Sequence, residues 1–409
     1  MDYRIEIQKF KNNQTLTISG SKSETNRLLI LQKLYPELLI ENVSDSDDSL
    51  IMKQCFENDT KIKDVHHTGT AMRFLTSYFA LKSNGEVILT GSDRMKQRPV
   101  KILVDALRQL GADISYMEKE GFPPLRIKGK NLQKDFVEIE ADVSSQYISS
   151  LMLIAPALPN GLNIRLKGVA TSVSYIKMTL HLLQSVGIMA SLENQNIHIQ
   201  PATKLKNKHF TVESDWSSAS YYYSMIALAP VGSFISLKNL KKNSLQGDAA
   251  LTEIYKDFGV HTFFEHTTIT LKKVANRQKK TINYQLNNTP DIAQTIIVTC
   301  MGLGIECKLT GLHTLKIKET DRLQALKNEL KKFGALVITT EDSIELKSKV
   351  HFTKNPIEIN TYQDHRMAMA FAPLVLKQPL IIKNSEVVSK SYPAFWKDLE
   401  QLGVRITTL

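Results

Sequence analysis

Six times along this chain a short stretch of small and polar residues runs straight into an unusually apolar, helix-like segment. The six are SKSETNRLLIL from Ser21, TGTAMRFLTSYFAL from Thr68, SSQYISSLMLIAPAL from Ser144, SSASYYYSMIALAP from Ser217, DIAQTIIVTCMGLG from Asp291 and DHRMAMAFAPLVL from Asp364. Successive starts lie 47, 76, 73, 74 and 73 residues apart. A fixed period marks a repeated structural unit, so the chain reads as six units of about 73 residues, the first of them short by about 26.

The interior of a unit is patterned too. In the fourth, the apolar helix is followed by a strand at Phe234–Leu237, an amphipathic helix at Asp248–Asp257 and strands at Val260–Phe264 and Thr267–Leu271. With the preceding strand counted, the unit is βαβαββ. A helix that is apolar nearly all round has to be buried, so the six should form cores, with strands and amphipathic helices outside them. At 409 residues the chain exceeds one ordinary core. Three units per core give an α/β protein of two domains, residues 20–213 inserted into a domain made of residues 1–19 and 214–409. The strand at residues 3–8 should then pair with the C-terminal half, and the chain should pass between domains twice.

The short first unit predicts a specific loss. Between its amphipathic helix, about Asp48–Glu57, and the next buried helix lie only the residues NDTKIKDVHH, enough for one strand, the one that opens the second unit. The closing ββ hairpin of the first unit should be missing, with Lys53, Lys61 and Lys63 as charges that guard the exposed edge.

Helix N-termini present unpaired N–H groups and partial positive charge. If the three buried helices of a domain run parallel, their starts share one surface, and two such surfaces facing each other make an anion-attracting cleft. The residues at these starts and in the loops fit that reading: GSKSETNR from Gly20, RMKQRP (Arg94–Pro99), KIKETDRL (Lys316–Leu323), DHR (Asp364–Arg366) and SKSYP (Ser389–Pro393) are cation-rich, each with a carboxylate or hydroxyl nearby. Arginine forks match phosphate and carboxylate oxygens, so several together imply a substrate with more than one anionic group. Either Asp291 or Glu319 could then serve as general base or acid.

The net charge of +11 is compatible with acidic small substrates, nucleic acid or an anionic membrane surface. No basic block interleaved with aromatics argues for nucleic acid, and no apolar run reaches the 18 residues of a membrane span. Cys55, Cys300 and Cys307 lack metal-ligand spacing and imply a reducing compartment. The N-terminus alternates like a strand, not a signal peptide, so a cytoplasmic protein is expected. Neither G-x-x-x-x-G-K-[ST] nor G-x-G-x-x-G occurs. Ser174–Lys177 fits S-x-x-K without its companion motifs, and Asp45, Asp47 and Asp48 lack the rest of a calcium loop and read as helix caps.

Taken in order, GSKSETNR, GTAMR, RMKQRP, VSSQ, DWSSASY, NSLQGD, PDIAQT, KETDRL, QDHRMAM and SKSYP resemble the 3-phosphoshikimate 1-carboxyvinyltransferases, the EPSP synthase family of enolpyruvyl transferases, over about residues 18–400. The resemblance implies a two-domain, inside-out α/β fold of three βαβαββ units per domain, with the active site in the interdomain cleft. It further implies transfer of the enolpyruvyl group of phosphoenolpyruvate to the 5-hydroxyl of shikimate 3-phosphate with release of phosphate, by a cytoplasmic monomer on the way to aromatic amino acids. No cofactor or metal is implied, and neither nucleic acid nor membrane is a partner.

By the same resemblance, Lys22, Arg98, Arg322, Arg366 and Lys390 hold phosphoenolpyruvate, with the Gly69–Thr70 backbone close against it. Ser144, Ser145 and Ser172 take the phosphate of shikimate 3-phosphate, Gln146 and Tyr175 its ring side, and Ser23 with Arg27 its carboxylate. Asp291 and Lys318 meet its hydroxyls, and Thr314 and His365 join the binding set. Asp291 as base and Glu319 as acid, assisted by Lys22, make a consistent pair. The chain departs from the family pattern at His67–Thr68, usually Asn-Ala, at Thr314, usually Asn, and at Val173–Ser174, usually Lys-Pro, which bears on affinities and on glyphosate, the inhibitor of this family. Two alternatives are an enolpyruvyl transferase acting on UDP-N-acetylglucosamine and a basic nucleic-acid-binding protein on an inactive transferase fold. The first typically carries a reactive loop cysteine that GSDRMKQRP lacks. The second would bind single-stranded DNA with steep salt dependence.

Overall fold

All six apolar segments are helices in the computed structural model, which describes residues 1–81, 85–142, 144–168, 172–276, 280–347 and 350–409. Lys22–Leu34, Gly69–Leu81 and Ser145–Ile154 form the core of one compact unit, Gly20–Val212. Trp216–Leu228, Ala293–Leu303 and His365–Phe371 form the core of the other, Met1–Ser19 with Glu213–Leu409. The small polar openings act first as caps: Ser21, Ser144, Asp215 and Asp364 each accept a hydrogen bond from a backbone N–H in the first turn.

Hydroxyl pairs between the buried helices fix their direction. In the compact unit Met1–Ser19 with Glu213–Leu409, Ser220 meets Thr295 at 3.0 Å, and Thr299 donates to Ser224 at 2.8 Å. The second pair lies four residues further along both helices, so the two run parallel. In the unit Gly20–Val212, Gln146 donates to Thr70 and Ser150 meets Ser77, again advancing together. Small residues let the backbones come this close, and their hydroxyls pair with one another across the contact. Gly302 marks a close approach: a Cβ there would lie 2.5 Å from Leu228 Cδ2 and 3.0 Å from Leu374 Cδ2.

Outside the helices lie six sheets among the described residues. Five are four-stranded on one plan, shown by Ile62–Asp64 parallel to Glu86–Thr90, with Leu125–Lys128 and then Asp113–Tyr116 antiparallel beyond it. Two of these sheets are completed from the start of the chain. Tyr3–Ile7 lies between Leu380–Ile382 and Val404–Thr408, and Gln14–Thr17 is the parallel opening strand beside Phe234–Lys238. The sixth sheet has two strands only, Leu39–Glu41 parallel to His209–Thr211. Between Asn58 and His67 the structure has the single strand Ile62–Asp64, which belongs to the next sheet. The first unit therefore keeps its opening pair and lacks its hairpin.

Two local readings change. The helix expected at Asp248–Asp257 is a composite of a 3₁₀ turn at Gly247–Ala250, an α-helical turn at Leu251–Ile254 and a second 3₁₀ turn at Tyr255–Phe258. Two inward anchors bracket it, Asp248 on Ser217 and Tyr255 on Thr299. Lys63 guards no edge, because it is buried, its ammonium bonded to the Asn58 carbonyl and lying over Phe79. Lys61 is paired with Glu86. Among the described residues no helix is long and apolar enough to cross a membrane.

The close approach at Gly302 makes a direct prediction. Gly302→Val has to displace both leucines and should cost about 1–3 kcal/mol of unfolding free energy, the usual range for overpacking a core. Denaturant unfolding of the variant checks this, and an unchanged midpoint would show that the helices are not so tightly seated.

Candidate functional site

Arg322 organises the polar groups of the unit Met1–Ser19 with Glu213–Leu409. It opens the helix Arg322–Lys331, whose N-cap is Asp321, and it is almost wholly buried. Its Nε donates to Asp364 Oδ2 at 2.6 Å, its Nη1 to Asp291 Oδ1 at 3.0 Å and its Nη2 to Glu319 Oε2 at 2.8 Å. Burial alone would lower the guanidinium pKa, and Asp364, Glu319 and Asp291 outweigh it and hold the group above its usual value. The three carboxylates come from different segments. Asp291 lies in the 3₁₀ turn Pro290–Ile292, Glu319 lies in the loop three residues before the arginine, and Asp364 caps the helix His365–Phe371.

Around this hub the remaining groups collect. Asp291 Oδ2 is 3.4 Å from Arg366 Nη2 and Oδ1 is 3.9 Å from Lys318 Nζ, so one carboxylate faces three cations. Arg366 Nη1 also donates to the Asp291 carbonyl at 3.1 Å, and its Nη2 to Ser217 Oγ at 3.4 Å. Lys390 Nζ donates to the Gln363 carbonyl at 2.7 Å. His365 is buried with Nδ1 3.8 Å from Asp364 Oδ1. Thr314, in the 3₁₀ turn His313–Ile317, is buried, and its Oγ1 has no hydrogen-bond partner among the described residues.

The unit Gly20–Val212 uses hydroxyls where the other uses carboxylates. Arg27 is buried, with Nε on Thr179 Oγ1 at 2.7 Å, Nη1 on the Ser23 carbonyl at 2.8 Å and Nη2 on Ser149 Oγ at 3.0 Å. Its guanidinium lies 5.3 Å from the centre of the Phe74 ring and 5.8 Å from that of Tyr175. Every one of these partners is neutral, and burial lowers the arginine to about 10. Lys22, the first residue of its helix, is 3.4 Å from Asp48.

Gly69 and Arg98 meet directly, since a Cβ on Gly69 would lie 2.6 Å from Arg98 Nη1. Arg73 fixes the ground beneath them, donating to the Gly69 and Pro99 carbonyls at 3.1 Å each. Gln146 joins Thr70 at 3.3 Å, and its N–H is capped by Ser144. Ser145 and Ser172 are buried, Ser172 with φ of +51° at the cap of the helix Val173–Ser185. Val143 of the VSSQ stretch lies outside the described residues. Thr68, one of the departures from the family pattern, is buried with its hydroxyl on the Val65 carbonyl.

The candidates thus gather into a carboxylate-held cluster in one unit and a hydroxyl-held set in the other. Sequence reasoning missed the residues that hold them: Asp48, Asp364, Ser217, Asp248, Ser149 and Thr179. DWSSASY and NSLQGD had signalled two of these places without assigning them a task. Asp48, read as a cap, is the partner of Lys22.

Asp248 offers a pH test. It is buried with Ser217 as its hydrogen-bond partner, and burial pushes it up to about 7, with Asp291 adding to the rise and Arg366 and Ser217 opposing it. An unfolded aspartate releases its proton near 3.8. Between these values the folded chain holds a proton that the unfolded chain lacks, so stability falls as pH rises through the window. Asp248→Asn should remove this dependence, by up to ~1.4 kcal/mol per pH unit. Thermal unfolding of both proteins at about pH 5 and about pH 7 should show the variant gaining relative to the parent at the higher value. A constant difference would contradict the assignment.

With this geometry established, comparison with known proteins gives one consistent answer. Residues 52–399 match the family model for EPSP synthase (3-phosphoshikimate 1-carboxyvinyltransferase). A 3-phosphoshikimate 1-carboxyvinyltransferase from Bacteroides fragilis is 44% identical over 397 residues, covering 96% of each chain. Its counterpart from Haemophilus influenzae is 32% identical over 427 aligned positions, again covering 96% of each. An EPSP synthase structure from Acinetobacter baumannii superposes over 100% of both chains with a TM-score of 0.77 at 21% identity, which speaks to the fold alone. The chain belongs to the EPSP synthase family.

Proposed function

We propose that this chain transfers the enolpyruvyl group of phosphoenolpyruvate to the 5-hydroxyl of shikimate 3-phosphate, giving 5-enolpyruvylshikimate 3-phosphate and phosphate. Family membership supports the reaction. The observation that carries it into this chain's own residues is the pair of carboxylates, Asp291 and Glu319, held on the Arg322 guanidinium. The reaction needs a proton taken from the attacking hydroxyl and a proton given to C3 of the enol. Two carboxylates held on one guanidinium, Asp291 also beside Arg366 and Lys318, supply groups for those opposite tasks. Asp291 acts as base, Glu319 as acid, and Lys22 assists. The tetrahedral adduct then collapses with loss of phosphate.

The other groups divide by charge. Arg98, Arg322, Arg366, Lys390 and Lys22 hold phosphoenolpyruvate, and the absence of a side chain on Gly69 lets its backbone come close. Ser23 with Arg27 takes the carboxylate of shikimate 3-phosphate. Support comes from the hydrogen-bond partners of that buried guanidinium, which are hydroxyls and a carbonyl and not carboxylates. Ser144, Ser145 and Ser172 take its phosphate, Gln146 and Tyr175 its ring, Lys318, Thr314 and His365 the remaining polar positions. We assign the protein to the cytoplasm as a monomer. The proposed chemistry calls on no cofactor.

A phosphate-release assay tests the reaction, with product expected only when both substrates are present. Asp291→Asn and Glu319→Gln should each slow turnover by ~10²–10⁴-fold, the usual share of general acid–base catalysis. Near-normal turnover in either variant would remove that residue from the mechanism, and no phosphate from the parent protein would overturn the reaction itself.

A further inference from the structure

Residues 361–364 make a tight turn immediately ahead of the helix that carries Arg366. The Asp364 N–H donates to the Thr361 carbonyl at 2.8 Å, and both central residues, Tyr362 and Gln363, have positive φ, +53° and +58°. Turns with two left-handed central residues favour asparagine and glycine. A tyrosine–glutamine pair is strained there and persists only where the surroundings over-determine it.

The restraints come from both ends of one helix. At the start of Arg322–Lys331, Arg322 grips Asp364. Two turns later on the same face, the fully buried carboxylate of Glu329 accepts from the Tyr362 hydroxyl at 2.7 Å and from the Asn360 N–H at 3.0 Å. Lys332 compensates that carboxylate at 2.6 Å and donates to the Glu358 carbonyl at 2.9 Å. Three of the four residues of the turn thus bear on the cluster or its support. Tyr362 is tied to Glu329, the Gln363 carbonyl receives Lys390, and Asp364 holds Arg322 and caps the Arg366 helix.

We propose that Tyr362 and Glu329 are positioning residues whose hydrogen bond holds this strained turn in the one conformation that sets Arg322, Arg366 and Lys390 for phosphoenolpyruvate. The proposal rests on the assignment of those three cations to that substrate. Without the tyrosine hydroxyl the turn relaxes, moving the Gln363 carbonyl away from Lys390 and the Asp364 cap away from Arg322 and Arg366. Shikimate 3-phosphate, assigned chiefly to hydroxyls and Arg27 of the other unit, is spared.

Steady-state kinetics on Tyr362→Phe tests this. The KM for phosphoenolpyruvate should rise about tenfold or more and that for shikimate 3-phosphate less than about twofold. In the double variant Tyr362→Asn with Gln363→Gly, the turn is built from residues that favour it, and much of the lost phosphoenolpyruvate affinity should return without the hydroxyl. The proposal is overturned if Tyr362→Phe leaves that KM unchanged, if both KM values rise together, or if the double variant fares no better. Should Tyr362→Phe fail to fold, Glu329→Gln carries the same expectation. Arg366→Ala tests the underlying assignment on its own. An unchanged phosphoenolpyruvate KM there removes the assignment and this proposal with it, whereas a rise there without one in Tyr362→Phe removes this proposal alone.

Discussion

A single buried guanidinium shared by three carboxylates holds the polar cluster of the larger unit together. Arg322 and Asp364 are nearly sealed from solvent, and Asp291 and Glu319 are partly buried. Charges taken out of water in this way are tolerable only when paired and hydrogen-bonded with good geometry. The consequence is spatial. The turn at Pro290–Ile292, the loop ending at Glu319 and the turn at residues 361–364 must all come to the start of one helix. Arg366 and Lys318 are then drawn in through Asp291, and Lys390 through Gln363. Asp291, Glu319 and the cations around them thus inherit their placement from the pairing of Arg322.

The smaller unit solves the same problem with less charge. Arg27 is buried among two hydroxyls and a carbonyl, flanked by aromatic rings, with Glu24 contributing at a distance. The hydrogen-bond partners of Arg27 are neutral acceptors, in contrast to the three carboxylates on Arg322. The two arginines differ in what they bond: carboxylates around Arg322, hydroxyls and a carbonyl around Arg27. Arg322, which the family resemblance placed on phosphoenolpyruvate, is in this structure first the partner of the protein's own carboxylates. Any hold on the substrate has to be shared with them.

Much of this was readable beforehand, because its signals are local and periodic. The repeat near 73 residues returns as hydroxyl pairs between parallel helices, Ser77 with Ser150 and Ser220 with Thr295, 73 and 75 residues apart. The missing hairpin followed from counting residues between Glu57 and His67. What could not be read depends on distant partners. Gln14–Thr17 carries no mark that it opens the sheet of Phe234–Lys238, more than two hundred residues away. Asp48 looks like any first-turn aspartate until Lys22 is seen beside it. The turn at Tyr362–Gln363 was invisible for the opposite reason, since its residues contradict the local chemistry of such turns and only Glu329 explains why they stay. At the site, then, residue types pointed to chemistry, while the groups that hold them in place were visible only in three dimensions.

The most direct measurement is a double-mutant cycle in unfolding free energy between Arg322→Met and Asp364→Asn. If the guanidinium and its carboxylates form one buried network, the two changes couple by about 2 kcal/mol or more. The double variant should then be more stable than Arg322→Met alone, because that single change strands Asp364 as a buried, unpaired charge. Additive costs, agreeing within ~0.5 kcal/mol, would contradict a structure organised around Arg322.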